Sequence, residues 1–233
     1  MQVLCCNAHE KIGFSFTGGL RSHFLIRPIN MNFDPLLLDS QHCYRLMVSS
    51  ITPRPIAWIS TLNGAGTLNL APYSFFTVAS CNPPVLSITQ VNPRDRTAKD
   101  TLTNLRATRE CVVNIVSENL AEIMNASCAD YPPDVSEFLA LNIESTSSSR
   151  VKPDGVKAAN VRFECKLREV LEISSLPMGG HVMLLDVVSI YVNETVLLDG
   201  HIAPDLLNTI GKLGGDWYSK THARFEMQRP VLK

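Results

Sequence analysis

The chain has 233 residues, enough for one large domain or two small ones, and its formal net charge is −1. Its basic residues form no run and no basic helix, which argues against a nucleic-acid-binding protein, and no apolar segment is long enough to span a bilayer. The seven cysteines are scattered without a C-x-x-C motif or zinc-ligand spacing, so we expect reduced thiols in a cytoplasmic protein without a metal site.

The first 30 residues differ from the rest of the chain because they show no sustained hydrophobic period. Met31 then opens the segment N-F-D-P-L-L-L-D, which has the composition of a natural start. We expect residues 1–30 to be an N-terminal extension or an incorrectly assigned translation start, with a short arm packed on the domain as the alternative. Residues 31–233 are expected to form a single domain.

The stretch from residue 53 to residue 76 predicts a β-hairpin. Residues 41–50 before it fit a short helix or an irregular lead-in that Pro53 and Pro55 stop. Residues 56–61 form the first predicted strand, N-G-A-G the turn and residues 67–70 the returning strand, and Pro72 is expected to end the ladder. Residues 69–76 then place an amide, a hydroxyl, small residues and aromatics together, which suits a flat ligand.

A helix is predicted to begin within residues 97–101 and to run to about Arg109. Its core-facing stripe consists of Ala98, Leu102 and Leu105. Two basic and two hydroxyl residues cluster at its start, where free N–H groups and the helix dipole favour a phosphate. A solvated polar turn capped by Thr or Asp is the alternative.

The remaining segments predict mostly strands. Strands are expected at residues 78–80, 85–91, 110–117, 161–173 and 181–194, the ladder continues at 196–199, helices cover 118–129 and 204–210, and residues 130–155 form a surface excursion. Because strands outnumber helices without regular βαβ alternation, we expect a mainly β protein, an antiparallel barrel with appended helices.

Six short motifs occur in order along the chain: P-R-P-I-A-W-I-S-T, N-L-A-P-Y-S-F-F, K-D-T-L-x-N, E-C-V-V-N, G-G-H and L-G-G-x-x-Y. Together they resemble the flavin reductase-like family, which includes flavoredoxin, over residues 33–218. The resemblance implies a split antiparallel β-barrel of the FMN-binding Greek-key type.

The resemblance also implies a set of site residues. Flavin-ring contacts would come from Asn69, Leu70, Ala71, Pro72 and Ser74, and phosphate contacts from Lys99, Asp100 and Thr101. Further positions near the flavin would be Arg54, Thr61, Ser87, Lys212 and Tyr218. His181 is the catalytic candidate, placed where nicotinamide docks, and a histidine satisfied within its own strand is the alternative.

Two departures from the family pattern concern the nicotinamide side more than the flavin side. The family often has Gly-Glu where this chain has Asp186-Val187, and Arg where it has Lys212. Lysine keeps the charge but loses the planar fork. Trp58 is expected to be a core residue rather than a ligand contact.

Three activities are compatible with the resemblance. The first is an NAD(P)H:flavin reductase that passes a hydride to flavin N5, with FMN as cofactor, NADH or NADPH as reductant and a monooxygenase or another electron-transfer partner as recipient. The alternatives are a flavoredoxin-type carrier with permanently bound FMN that a protein partner reduces, and a non-enzymatic FMN-binding barrel. A homodimer is expected, with flavin near the subunit boundary, because a lone barrel would expose Leu213 and Tyr218.

Overall fold

The structure is a computed structural model that describes residues 31–93 and 99–231. The elements named below lie in one unit that spans Leu38–Lys233. Residues 1–30, the predicted extension, lie outside the described residues, so the domain boundary at residue 31 stays a prediction. Within the described ranges, no helix has both the length and the apolar character that crossing a membrane requires.

Short helices surround a larger set of strands. The helices are α1 (Ser40–Ser50), α2 (Asp100–Thr108), α3 (Ala121–Ala126), α4 (Glu137–Ala140) and α5 (Pro204–Leu207). The strands are β1 (Ala57–Leu62), β2 (Leu68–Tyr73), β3 (Phe76–Cys81), β4 (Pro84–Val91), β5 (Glu110–Ile115), β6 (Ser145–Thr146), β7 (Gly155–Val156), β8 (Val161–Glu172), β9 (Gly180–Val192), β10 (Leu197–Leu198), β11 (His201–Ile202), β12 (Ile210–Lys212) and β13 (Tyr218–Lys220). Single 3₁₀ turns cover Glu118–Leu120 and Glu194–Val196.

Seven of the strands form one antiparallel sheet in the order β2-β1-β5-β8-β9-β4-β3. The predicted hairpin is present, with Ala57 opposite Tyr73 and Leu62 opposite Leu68. Strands β2 and β3 follow each other in the chain but lie at the two edges of the sheet. The mainly β fold with appended helices is therefore confirmed, and the chain segment after β2 connects the two edges.

Two apolar cores follow from the alternation of side chains along the strands. Ile59 packs in the first core together with Leu102 and Leu105 of α2, as the helical stripe predicted. Trp58, the neighbouring residue on β1, is fully buried in the second core with residues of α3 and α4. Its indole Nε1 donates to Ser127 Oγ at 2.9 Å. The second core thus fixes α3 and α4 beside the edge strand β2.

Residues 41–50 form a helix rather than an irregular lead-in because Asp39 caps it. The Asp39 carboxylate accepts hydrogen bonds from the N–H groups of Gln41 and His42 at 3.0 and 2.9 Å. The bond from the His42 N–H is the main cause that lowers the pKa of Asp39.

Pro72 does not end the hairpin ladder, which is a correction to the prediction. The N–H of Leu70 points away from β1 and donates to Glu137 Oε2 at 2.8 Å. The backbone of Pro72, two residues later, faces the same way, so its missing N–H removes no ladder bond. Proline is tolerated here because β2 is an edge strand.

Two other predicted elements also differ. Residues 196–199 do not continue the main ladder, because Asn193 caps a 3₁₀ turn and β10 then pairs with β11. Residues 118–129 form a 3₁₀ turn followed by the six residues of α3. The helix ends there as the Ser127 hydroxyl donates to the Met124 carbonyl at 2.7 Å. The excursion at 130–155 contains α4, β6 and β7.

Candidate functional site

A groove runs along β2, from the start of α2 to the β12–β13 hairpin. It consists of two pockets of ≈ 90 Å³ each, which share Pro72 and Cys128. We call the first the polar pocket; its lining includes Asn69, Ala71, Lys99, Asp100, Thr101 and Glu137. We call the second the aromatic pocket; its lining includes Ile56, Tyr73, Ser74, Met124, Lys212 and Tyr218. The groove therefore brings together most of the residues that the family resemblance implies.

A larger hollow of ≈ 520 Å³ lies along α1. Its lining comes from Asp39 and from polar and apolar residues of that one helix, and it contains none of the predicted site residues. It is a surface depression beside a single helix, so we regard the smaller groove as the candidate site.

Strand β2 forms the floor of the polar pocket and is fixed on both sides. Asn69 Nδ2 donates to Thr101 Oγ1 at 3.2 Å, which ties the strand to the start of α2. The Leu70 side chain is buried in the second core, so Leu70 can offer only backbone atoms to a ligand. Its N–H is held by Glu137 across the strand edge. The floor is therefore rigid and presents small groups to the groove.

The start of α2 provides donors for an anion. Lys99 is the N-cap residue in an extended conformation and makes no side-chain cap. The first N–H groups of the helix, those of Asp100 and Thr101, have no carbonyl partner within their own helix. The Lys99 ammonium lies 5.8 Å from the ring centroid of Tyr73, at the point where the two pockets meet β2. These groups favour a phosphate.

The β12–β13 hairpin forms one wall of the aromatic pocket. Lys212 Nζ lies 4.0 Å from the ring centroid of Tyr218 and donates to the carbonyl of Gly215 at 2.7 Å. The Tyr218 hydroxyl donates to Asn125 Oδ1 at 3.0 Å, which joins the hairpin to α3. Burial is the main cause that lowers the pKa of Lys212 and raises the pKa of Tyr218. Both side chains are thus held against the groove.

Arg54 lies below the aromatic pocket and positions its walls. Its Nε donates to Ser74 Oγ at 3.3 Å, and its Nη2 donates to the carbonyl of Leu213 at 3.0 Å. Its Nη1 donates to the carbonyls of Val48 and Ile51. Because these acceptors occupy the buried guanidinium, Arg54 can orient Ser74 and the hairpin but has little left to offer a ligand.

The close approach of the β12–β13 hairpin explains the glycine in the middle of β12, Gly211. Backbone hydrogen bonds of 3.0 and 2.8 Å join Arg54 and Lys212 in both directions. A Cβ atom at Gly211 would lie 2.6 Å from Pro53 Cβ, well inside contact distance. Glycine at this position therefore lets the hairpin dock on the segment that precedes β1.

We expect Arg54→Lys to lower the free energy of unfolding by about 1–3 kcal/mol, since lysine cannot serve carbonyls on two sides of a planar fork. Urea unfolding followed by circular dichroism measures the effect. Arg106→Lys, on the exposed face of α2, is the matched control and should change little. Equal stability of the Arg54 and Arg106 variants would show that the guanidinium bonds contribute nothing measurable.

Thr61 and Ser87, like Arg54 and Leu70, lie outside the groove lining. Thr61 is fully buried, and its Oγ1 accepts from Asn104 Nδ2 at 3.1 Å, so it fastens α2 to β1. Ser87 lies on β4 opposite Thr77 and Leu184, on the face that points away from the first core. A flavin contact by either residue stays a prediction.

His181 is buried on the face of the sheet that carries the first core and does not line the groove. Its Nε2 lies 3.2 Å from Glu172 Oε2. It stands opposite Gln90, whose Oε1 accepts from the Tyr73 hydroxyl at 3.2 Å. Within the described ranges, His181 Nδ1 and Gln90 Nε2 have no hydrogen-bond partner. The Nε2 contact therefore comes from β8 rather than from the strand of His181, and a catalytic role stays a prediction.

Cys128 and Glu137 are two of the groove residues that were not predicted as site residues from the sequence. Cys128 is an exposed thiol at the junction of the two pockets. Glu137 is buried and reaches β2 from a helix 67 residues further along the chain. No motif or spacing marks either residue, because Cys128 follows the end of α3, Glu137 lies in the excursion after it, and both reach the groove only through the fold.

Glu118 fastens the end of the chain to the domain. Its carboxylate accepts from Asn208 Nδ2 at 3.0 Å, lies 3.2 Å from His222 Nε2 and pairs with Lys220 of β13. These hydrogen bonds, that of Lys220 first, lower the pKa of Glu118 from 4.5 to about 2. The ionised carboxylate therefore helps to hold β13 and with it the hairpin.

A depressed pKa stabilises the fold above the ordinary pKa of the group, and this contribution disappears as the pH falls through the folded-state value. We expect wild type to be more stable than Glu118→Gln above pH 4.5 and the difference to vanish towards pH 2. Melting temperatures of both proteins across this range test the prediction. Two parallel curves would contradict it.

The groove combines an anion-binding end with a flat, partly aromatic end. The polar pocket offers an ammonium, helix N–H groups and a hydroxyl, whereas the aromatic pocket offers apolar atoms, an aromatic ring, a second ammonium and the Ser74 hydroxyl. This donor set fits a ligand with a phosphate and a flat ring, as FMN has. Across the part of the chain that the structure describes, no group of three or more His, Cys, Asp or Glu residues is placed to hold a metal ion.

Comparison with known proteins identifies the family. The model of the "Flavin reductase like domain" matches residues 48–205. An uncharacterized protein from Aquifex aeolicus is 37% identical over 191 residues, which make up 82% of this chain and 95% of that protein.

Solved structures agree with this result. Nitrilotriacetate monooxygenase component B from Bacillus cereus is 30% identical, with a TM-score of 0.81 over 85% of this chain and 99% of that chain. The 2-nitrobenzoate 2-nitroreductase of Pseudomonas fluorescens is 29% identical, with a TM-score of 0.78 over 87% of this chain and 98% of that chain. A more distant structure from Shewanella frigidimarina, described with a split barrel domain, shares the fold at 22% identity and a TM-score of 0.73. The predicted split barrel and the resemblance are both confirmed: the chain belongs to the flavin reductase-like domain family.

Proposed function

We propose that the protein is an FMN-binding oxidoreductase that uses NADH or NADPH to reduce flavin. The observation that carries this proposal is the groove, in which an anion-binding pocket and an aromatic pocket meet at Pro72. Membership of the flavin reductase-like family supports the choice of flavin as ligand. The likeness to a monooxygenase component and to a nitroreductase supports oxidoreductase chemistry.

In this proposal the polar pocket holds the flavin phosphate. Lys99 supplies a charge-assisted hydrogen bond, and the N–H groups of Asp100 and Thr101 supply two further donors. Asn69 keeps Thr101 in place through its amide. Ala71 and Pro72, which are small and rigid, allow close approach of a flat ring to the β2 backbone.

The aromatic pocket would orient the ring. Bound FMN would supply the hydride-accepting N5 atom. Ser74 accepts from Arg54, so its own hydroxyl hydrogen can be donated into the pocket. Lys212 adds a positive charge that favours the more negative, reduced form of a ligand held there. Tyr218 covers the pocket from the side of the hairpin.

The experiment that tests the function is the anaerobic oxidation of NADPH, and separately of NADH, by the purified protein with added free FMN. Flavin-dependent oxidation of either nucleotide supports the reductase. Protein-bound FMN that neither nucleotide reduces would contradict it. If a protein donor then reduced the bound FMN, the protein would be a flavoredoxin-type electron carrier. If no protein donor reduced it, the protein would be a non-enzymatic FMN-binding barrel.

We base the proposed electron acceptor on the similarity to two solved structures. One of the two solved neighbours near 30% identity is named as a monooxygenase component and the other as a nitroreductase. We propose release of reduced flavin to a monooxygenase. A nitroarene consumed by the protein alone, in step with NAD(P)H and without added flavin, would instead indicate direct substrate reduction.

We also propose a homodimer with the flavin near the subunit boundary. Support comes from the hairpin beside the groove, where Leu213 and Tyr218 are half-buried and Trp217 is 76% exposed. A partner subunit that covers this hairpin would close the shallow groove. Light scattering at micromolar concentration should give twice the monomer mass, and a monomer that retains flavin would contradict the proposal.

A further inference from the structure

Glu137 is a buried acid at the anion-binding end of the groove. Only 6% of its surface is exposed, and it lines the polar pocket together with Lys99 and Thr101. A buried carboxylate normally has a cation as partner. None of the ion pairs among the described residues includes Glu137, and the N–H of Leu70 donates to its Oε2 at 2.8 Å.

This environment favours the neutral form of the acid. Burial raises the pKa of the Glu137 carboxyl group, hydrogen bonds from the N–H of Leu70 and from its own backbone N–H oppose the rise, and the negative charge of Asp100 adds to it. The other titratable side chains that line the pocket are Lys99, Asp100, Cys128, Asp130 and Tyr131.

A phosphate in this pocket would meet Glu137 in one of two forms. As a carboxylate, Glu137 would repel the dianion and would have no hydrogen to share with it. As a carboxylic acid, it has an O–H that can donate to a phosphate oxygen while Oε2 still accepts from Leu70. The pocket of ≈ 90 Å³ brings the acid and the donors at the start of α2 to the same small space.

We propose that Glu137 binds the flavin phosphate in its protonated form, so that the site takes up FMN together with a proton from solvent. The inference rests on the proposed function, because it requires the phosphate to enter the polar pocket. The only covalent change is the transfer of one proton, which leaves hydronium or a buffer acid in the solvent and forms the O–H bond on Glu137. The residue therefore selects for a phosphorylated flavin and couples its binding to pH.

Proton uptake by Glu137 determines how FMN affinity changes with pH. Binding that takes up a proton weakens as the pH rises, by up to about tenfold per pH unit between the pKa of Glu137 in the unliganded protein and its higher pKa in the complex. The second ionisation of the phosphate, near pH 6, acts in the opposite direction and is common to all variants. Comparison between variants therefore isolates the contribution of Glu137.

Glu137→Gln is the informative substitution. Its amide oxygen can still accept from the Leu70 N–H, and its NH₂ group imitates the donating acid but cannot titrate. Glu122→Gln is the matched control, because Glu122 is exposed on α3 and does not line the groove. Melting temperatures establish that all three proteins are folded.

The test is titration of the three apoproteins with FMN and with riboflavin from about pH 6 to about pH 9, with calorimetry in buffers of different ionisation heat. Wild type and Glu122→Gln should lose FMN affinity with rising pH relative to Glu137→Gln, which should bind FMN about tenfold more tightly at the upper end. Wild type should take up more protons with FMN than Glu137→Gln does, and riboflavin should cause no uptake.

Two outcomes separate this inference from the proposed function. If wild type and Glu137→Gln show the same pH slope and the same proton balance, the inference is wrong, while FMN binding that still depends on Lys99 leaves the proposed function standing. If FMN binds to none of the three folded proteins, both fail. Should Glu137→Gln fail to fold, Glu137→Met, which also cannot titrate and has a similar volume, takes its place in the comparison of pH slope and proton balance.

Discussion

Replacing Lys99 with alanine is expected to weaken FMN binding about ten- to a hundredfold and to leave riboflavin binding nearly unchanged. A charge-assisted hydrogen bond is worth about 1.5–3 kcal/mol, and riboflavin has no phosphate to receive it. The floor formed by residues 69–74 is untouched by the substitution. Titration of the apoprotein with both flavins, followed by flavin fluorescence, measures the two affinities.

The control for this substitution is Lys166→Ala, because Lys166 is an exposed lysine on β8 outside the groove. High salt should reduce FMN binding more in wild type than in Lys99→Ala. If Lys99→Ala weakened the binding of FMN and of riboflavin equally, the substitution would be acting on the fold. If Lys99→Ala weakened the binding of neither flavin, Lys99 would be an ordinary solvated residue. The phosphate site would then have to be sought around Arg94 and Arg96, which lie outside the described residues.

Trp58→Ala should lower the free energy of unfolding by about 3–5 kcal/mol, the cost of removing a fully buried tryptophan. Trp58 is 0% exposed in the second core, and its indole also donates to Ser127. Urea unfolding by circular dichroism gives the value. The loss also loosens α3, which carries Met124 and precedes Cys128 in the groove wall, so weaker FMN binding should accompany it.

Leu139→Ala is the matched control for the second core. Leu139 follows the buried Phe138 on α4 but is 84% exposed, so its truncation should stay within about 0.5 kcal/mol of wild type. If Trp58→Ala lowered the free energy of unfolding no more than Leu139→Ala does, the second core would not depend on Trp58.

Local patterns were enough to predict the first hairpin and the buried face of α2. The alternation along residues 56–70 predicts the β1–β2 hairpin, and the stripe of Leu102 and Leu105 predicts the buried face of α2. Both depend on side-chain period, which is a local property. One hydrogen bond, from Asn69 to Thr101, joins the N-L-A-P-Y-S-F-F and K-D-T-L-x-N motifs, so the two motifs on which the resemblance rests lie next to each other in the fold.

Long-range contacts account for what the sequence did not predict. Glu137 meets Leu70 across 67 positions, and Arg54 meets Leu213 across 159 positions. No local rule identifies such pairs. The prediction for Pro72 was wrong for the same reason, since only the sheet order shows that β2 is an edge strand. The interior orientation of His181 likewise depends on which face of β9 meets the first core.

The most direct test of the groove as the flavin site is alkylation of Cys128. This thiol is exposed where the polar and aromatic pockets meet, whereas Cys81 is an exposed thiol at the end of β3, outside the groove. Iodoacetamide labelling of the full chain, read by peptide mass spectrometry with and without saturating FMN, compares the two. We expect FMN to protect Cys128 and to leave the labelling of Cys81 unchanged. Equal labelling of Cys128 in the presence and absence of bound FMN would contradict the account.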